Sequence, residues 1–186
     1  MKKHDYIASA KRTLKIESDS IKDISSQLDR SFINLCDSVI NLKGNLIIMG
    51  VGKSGHIGQK ISATLSSTGT PSIFIHPTEA AHGDMGLIKK EDIVLLISNS
   101  GETDEIINIS SSLKRHCKKI ASLTSNNTST IAKLSDIRIQ IKSLKEACPL
   151  NLAPTSSTTN SLAFGDALSI ALLEAKGFSK KDFAYS

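Results

Sequence analysis

Five short apolar runs punctuate the chain at fairly regular intervals: NLIIMG (45–50), PSIFIH (71–76), DIVLLIS (92–98), KKIASLTS (118–125) and IRIQI (137–141). Each is rich in branched residues and apolar at consecutive positions, which suits strands covered on both faces. The stretches between them, 54–68, 103–115 and 128–135, carry helix spacing instead. Strands that alternate with helices and are buried on both faces belong to a parallel sheet sandwiched between helices. The expected fold is therefore α/β, a three-layer sandwich.

Helices also precede the first strand. Residues 5–42 read as helical, with Ile21, Ile24, Leu28, Phe32, Leu35 and Val39 stepping by three and four to form one apolar stripe. A break is expected near Glu17–Ser20. The stripe can pack on this domain or on another subunit. The last segment, 155–177, opens with Thr and Ser and is then apolar almost all round, so it should be buried in the core or at a subunit contact. With 186 residues and no linker or repeat, one domain is expected: residues 1–40 are N-terminal helices of the same domain as 41–186.

Bulk properties exclude several classes. No apolar run reaches the roughly 18 residues of a membrane helix, and the start MKKHDYIASAKR lacks the apolar centre of a signal peptide, so no membrane partner and a cytoplasmic location are expected. Cys36, Cys117 and Cys148 are far apart and lack metal-ligand spacing, as reduced thiols do. The formal net charge is +5, yet aromatics are 4% of the residues and no nucleic-acid-binding signature is present. Nucleic acid is not an expected partner. The run Lys114-Arg115-His116 with Lys118 and Lys119 falls at a helix end, where cations suit the dipole.

Chemistry concentrates in two bends. Gly50, Gly52 and Gly55 spell G-x-G-x-x-G between a strand and a helix. A dinucleotide site also needs an acidic residue closing the second strand, and here that strand ends in His76-Pro77. A nucleotide P-loop fails as well, because its first glycine would fall at Ile47. What remains is a glycine turn presenting Lys53, Ser54 and His56 at the mouth of a parallel sheet. The second bend, SNSGET (98–103), follows DIVLLI and opens a helix. Ser98, Ser100 and Thr103 set three hydroxyls beside free backbone N–H groups, and Gly101 lets the backbone close in. A helix start carries about half a positive charge and a phosphate monoester about −1.5 to −2, so the pair attract. A plain Ser/Thr helix cap is the structural alternative.

Four stretches together, GVGKSGHIGQKISATLSSTGTPSIFIHPTEAAHGDMG, ISNSGETDEI, KEACPLNLAPTSSTT and GDALSIALL, resemble the sugar-isomerase (SIS) domain family, and within it the arabinose-5-phosphate isomerases. The likeness runs from about residue 40 to the last residue. It implies a five-stranded parallel sheet, a homotetramer, and interconversion of the phosphosugars D-ribulose 5-phosphate and D-arabinose 5-phosphate through an enediol, on the way to Kdo for lipopolysaccharide or capsule. No cofactor is implied; an inhibitory zinc ion on His76 is. Two departures stand out. Longer members carry paired CBS modules after this domain, absent here, and the family motif continues from D-F-A-x-S into His-Pro-Gly-Gly, whereas this sequence stops at Ser186, so a missing tail is expected. A non-catalytic phosphosugar sensor and an isomerase of another sugar phosphate are the competing functions.

Isomerisation moves a proton between adjacent carbons, which needs an acid/base, a group that steadies the oxyanion and a phosphate anchor. The anchor is assigned to Ser54, Ser98, Asn99, Ser100 and Thr103, with the hydroxyls of Thr155–Thr159 as a second wall. Lys53 is the candidate for the enediolate oxygen and Glu105 for acid/base work; Asp104 and Glu102 are read as dipole partners. His82, among small residues after a strand, is placed to meet the sugar. The resemblance adds Glu146 as a catalytic group and Gly69, Thr70, Lys142, Ser143 and Leu144 as positions around the substrate.

Overall fold

A computed structural model gives the structure of the chain, and residues 4–184 are described. Helix α1 (Tyr6–Gln27) starts at Asp5, whose carboxylate accepts from the Ala8 N–H at 2.9 Å. The break expected near Glu17–Ser20 is not there. Lys15 pairs with Asp19 one turn on at 2.8 Å, and Ser20 is fully buried, with its hydroxyl accepting from Asn160 at 2.8 Å, so the helix continues through. The chain breaks instead at Leu28–Asp29. There the Asp29 carboxylate accepts from the Ser31 N–H at 2.8 Å and opens α2 (Arg30–Ile40).

Strands β1 (Leu46–Gly50), β2 (Ser72–Phe74), β3 (Ile93–Ile97), β4 (Lys119–Thr124) and β5 (Ile137–Gln140) occupy the expected runs. They pair in parallel in the order β2-β1-β3-β4-β5. Between and after them lie α3 (Lys53–Ser67), α4 (Pro77–Ala81), α5 (Asp104–His116), α6 (Thr130–Leu134), α7 (Ser156–Lys176) and α8 (Lys180–Phe183).

Alternate strand residues point to opposite faces, and here both faces are covered. Leu46, Ile48, Leu95 and Leu123 pack with Ile24, Leu35, Ile61, Phe164 and Leu168, so α1, α2, α3 and α7 form one layer. Ile47, Met49, Val94 and Leu96 pack with Ala80, Ile106, Ile109 and Ile131, so α4, α5 and α6 form the other. Every residue of β1 and β3 is buried, which is why those strands read as unbroken apolar runs. Helix α7 buries Phe164, Gly165, Leu168 and Leu172 in this core and leaves Ile170 exposed.

The strand order fixes where a ligand fits. α3 leaves β1 for one face and α5 leaves the adjacent β3 for the other, so the two turns part at the carboxyl edge of the sheet. Open α/β sheets bind ligands in the crevice at such a reversal point.

Candidate active site

Gly50 and Ile97 are register partners at the carboxyl ends of β1 and β3, so both bends leave the sheet from neighbouring positions. After β1 the chain turns through Gly52, at φ 58° and ψ −127°, a conformation that side chains disfavour. A Cβ on Gly55 would lie 2.8 Å from the Gly50 carbonyl oxygen, so glycine lets the start of α3 press against the strand end. Lys53, Ser54 and Ile57 then face Pro154, Ser157, Thr158 and Ser161 across a cleft of about 180 Å³. The wall opposite the glycine turn is therefore the hydroxyl-rich start of α7, within the Thr155–Thr159 stretch expected as a second wall, together with Pro154 and Ser161, which the sequence reading missed. Ser157 and Ser161 share one helix face at i, i+4, and that spacing was the available signal.

The second bend is held from within. The Ser98 hydroxyl is buried, accepts from the Gly101 N–H at 3.0 Å and pairs with the Thr103 hydroxyl at 2.7 Å. One hydroxyl of that pair donates to the other, which leaves one O–H free to donate outward. Ser100 accepts from the Glu102 N–H at 3.2 Å, and Asn99 uses its carbonyl oxygen to accept from the Ser125 N–H at 2.9 Å. Glu102 points to α6, where its carboxylate accepts from the Thr130 N–H at 2.8 Å; that contact holds its carboxyl below the ordinary range. Glu102 is thus a structural carboxylate. Asp104 and Glu105 are exposed in the first turn of α5.

Helix capping separates the two bends from the rest of the molecule. Asp5, Asp29, His76, Ser129 and Ser179 each accept from a first-turn N–H of α1, α2, α4, α6 and α8. The start of α7 is served by a more distant carboxylate, Glu146, which accepts from the Ser157 N–H at 3.4 Å. The helices that follow β1 and β3, α3 and α5, have no side-chain cap. Their N–H groups and positive dipole ends are left for something else at the carboxyl edge, as in anion sites.

Glu146 holds the α7 wall in place. Besides the Ser157 N–H, its Oε2 accepts from the Thr155 N–H at 2.7 Å and the Thr155 hydroxyl at 2.9 Å. Burial pushes this carboxyl up, but the donors from Ser157 and Thr155 together outweigh it and the net shift is downward. Glu146 is a carboxylate near neutral pH, one residue contact away from the cleft lined by Ser157.

Other candidates lie elsewhere on this chain. Lys142, Ser143 and Leu144 follow β5 and line a second cavity with Gln27 and Asn127; Ser143 joins the α7 wall through the Asn160 side chain at 3.3 Å. Gly69 and Thr70 precede β2 at the amino edge, the opposite end of the sheet, where the Lys176 ammonium donates to the Gly69 carbonyl and the Thr70 hydroxyl at 2.8 and 2.9 Å. One chain does not bring them to the cleft. His82 is exposed at the end of α4, outside the residues lining the cleft. His76 does not end β2, which stops at Phe74; it caps α4, its Nδ1 accepting from the Thr78 N–H at 3.2 Å. With Nδ1 accepting, the neutral ring carries its proton on Nε2, so neither nitrogen offers a lone pair to a metal while the cap is in place; His56 lines the same shallow cleft. Among the described residues no three His, Cys, Asp or Glu side chains group to hold a metal ion, so a zinc ion at His76 would lack a closed ligand set. The continuation expected beyond Ser186 lies outside the described residues.

Comparison with known proteins agrees with this layout. The SIS domain is matched over residues 40–171. The arabinose 5-phosphate isomerase KdsD of Pseudomonas aeruginosa is 50% identical over 182 residues, and that of Escherichia coli K12 is 46% identical; each alignment covers 98% of this chain. The chain spans 56% of the length of these curated relatives. A protein of E. coli CFT073, solved in complex with arabinose 5-phosphate, superposes with a TM-score of 0.95 at 40% identity, covering 100% of this chain and 98% of that one. With the family matched over most of its length and its sheet order, bends and cleft in place, the chain belongs to the SIS domain family.

Proposed function

We propose that this chain is an aldose–ketose isomerase that interconverts D-ribulose 5-phosphate and D-arabinose 5-phosphate. The carrying observation is the cleft between the glycine turn and the start of α7, where Lys53 faces a row of hydroxyls beside the uncapped start of α3; the uncapped start of α5 leaves the sheet from the neighbouring strand, outside the lining of that cleft. A positive side chain, N–H groups and hydroxyls together suit a small, polar, dianionic ligand. The relatives named arabinose 5-phosphate isomerase, at 46–50% identity, and the neighbour solved with arabinose 5-phosphate support this substrate.

The phosphate is assigned to the α5 end, with Ser100, the free hydroxyl of the Ser98–Thr103 pair and Ser54 as donors. The carbonyl end of the open-chain sugar then lies towards Lys53, whose ammonium stabilises the enediolate oxygen. A carboxylate removes a C1 proton of the ketose and returns it to C2 while the hydroxyl proton passes from O1 to O2, so no proton is gained or lost overall. Glu146 is held as the ionised form this requires, and Glu105 stands at the first turn of α5. The reaction supplies the five-carbon aldose phosphate for Kdo, the step that the KdsD relatives suggest. No cofactor is assigned; a zinc ion at His76 would be inhibitory. A homotetramer in the cytoplasm completes the reading. Its support is α1: Ile7, Leu14 and Ile21, spaced by seven, are exposed, with the exposed Leu28 just past the helix end, a seam suited to a second helix. Gly69 and Thr70 can reach a substrate only from another subunit, which fits such an assembly.

Mixing the purified chain with ribulose 5-phosphate and following the anomeric signals by NMR tests the reading. Formation of arabinose 5-phosphate is expected. Binding without turnover would point to a sensor, and turnover of a longer sugar phosphate alone would point to a different isomerase.

A further inference from the structure

We propose that Gln27, at the end of α1, is a positioning residue for the isomerase site; this rests on the isomerase reading above. Its side-chain amide grips both main-chain groups of Lys142. Nε2 donates to the Lys142 carbonyl at 2.9 Å, and Oε1 accepts from the Lys142 N–H at 2.7 Å. The second N–H of the amide is used as well, donating to the Asp23 carboxylate at 2.6 Å, which orients the side chain from its own helix. The contact spans 115 residues of sequence and lies where the edge strand β5 has just ended, so the amide takes the place of a neighbouring strand at Lys142.

The segment that follows is irregular, and beyond Glu146 it is next tied at Ala147, which is buried and whose N–H donates to the Thr155 hydroxyl at 2.8 Å. Leu144 and Lys145 are exposed, and no helix or strand is formed between Gln140 and Ser156. Yet four residues beyond Lys142 stands Glu146, whose carboxylate fixes the start of α7 and thereby one wall of the Lys53 cleft. A second tie acts in parallel: Asn160 donates to both Ser20 of α1 and Ser143. Helix α1 thus holds Lys142 directly through Gln27, while Asn160 of α7, itself bonded to Ser20 of α1, holds the adjacent Ser143; Gln27 supplies the tie that fixes the main chain. A carboxylate that sets one wall of the cleft from an irregular segment needs such a tie, because misplacement of site groups by about 1 Å can cost on the order of a hundredfold in rate.

The test uses the full chain with Gln27→Ala and Gln27→Glu, the latter keeping length and acceptor but losing the donor to the Lys142 carbonyl. Three readouts are taken: melting temperature, amide hydrogen exchange at Lys142, and kcat and KM for ribulose 5-phosphate. A positioning role predicts folded variants in which Lys142 exchanges at least about tenfold faster and kcat falls by about tenfold or more, with KM changed less. Unchanged exchange at Lys142 would overturn the clamp. Faster exchange with wild-type kcat would overturn its role in catalysis. A wild-type chain that binds but does not convert the sugar phosphate would defeat the isomerase reading and the catalytic half of this one together, while the exchange comparison still decides the clamp.

Discussion

Gly50 and Ile97 stand opposite each other at the carboxyl ends of β1 and β3, and the turns that follow them part to opposite faces of the sheet. That pairing places the Lys53 turn and the Ser98–Thr103 bend side by side, although they lie far apart along the chain. The crevice is a product of strand order, and the residues at its lip set what it binds.

The tight glycine contact beneath the lip should be sensitive to a single carbon. In Gly55→Ala the new Cβ meets the Gly50 carbonyl oxygen at 2.8 Å, and backbone must shift on one side or the other. Urea denaturation should show a loss of about 1–3 kcal/mol, the usual cost of overpacking. Turnover should fall with it, because α3 carries Lys53.

Lys53 is exposed and makes no hydrogen bond or ion pair among the described residues, so its removal should leave the fold intact. Lys53→Ala should change stability by no more than about 0.5 kcal/mol while lowering kcat on the order of a hundredfold or more. Steady-state kinetics beside a thermal melt checks both halves.

Glu146 links the site to acid stability. Its carboxyl is held below the ordinary glutamate range in the folded chain, so the unfolded chain binds the proton more readily. The resulting stability is complete above the ordinary glutamate range and is lost as pH falls through the lower, folded one. Denaturation midpoints across that window should decline less steeply in Glu146→Gln than in the wild type, and the variant should turn over far more slowly at neutral pH.

The three thiols should separate by reactivity. Burial raises Cys117 to about 11, and its Sγ donates to the Leu113 carbonyl at 3.1 Å. Burial also raises Cys36, whereas main-chain N–H groups of Ala153, Leu152, Leu150 and Asn151 lower Cys148. Iodoacetamide at neutral pH, followed by peptide mass spectrometry, should label Cys148 first and Cys117 last.

The seam on α1 gives an assembly test. Leu14 is 66% exposed in the middle of the seven-residue series. Leu14→Glu should shift sedimentation towards smaller species while leaving the helical signal of the chain unchanged.

Much of this architecture was legible because the central strands β1 and β3 are buried on both faces and so write themselves as continuous branched runs, LIIMG and IVLLI, while the edge strands β2 and β5 each leave a residue exposed. Boundaries that depend on single side chains were harder. The helix continues through Ser20 because Asn160, 140 positions away, satisfies its hydroxyl, and no local pattern contains that partner. The real break carried a local sign, Asp29 before Arg30-Ser31, but the apolar stripe running across it hid it. His76-Pro77 likewise announced a helix start, with proline at the first helical position, rather than a strand end. At the site, the Lys53 turn could be read from its glycines. The wall it faces could be read only in part, since the distance between residues 53 and 157 in space is set by the packing of α7 on α3. Glu146 shows the same limit: in sequence it is a carboxylate beside Lys145, and only the fold reveals the three donors around it.

Titrating isotope-labelled chain with arabinose 5-phosphate and following backbone amide shifts addresses the central relationship most directly. Amides of Lys53 and Ser54, of Ser100–Glu105 and of Ser157–Thr158 should move together along one saturation curve. Shifts confined to the amino edge of the sheet, around Lys118 and Lys119, or movement of one bend without the other, would contradict a shared pocket between them.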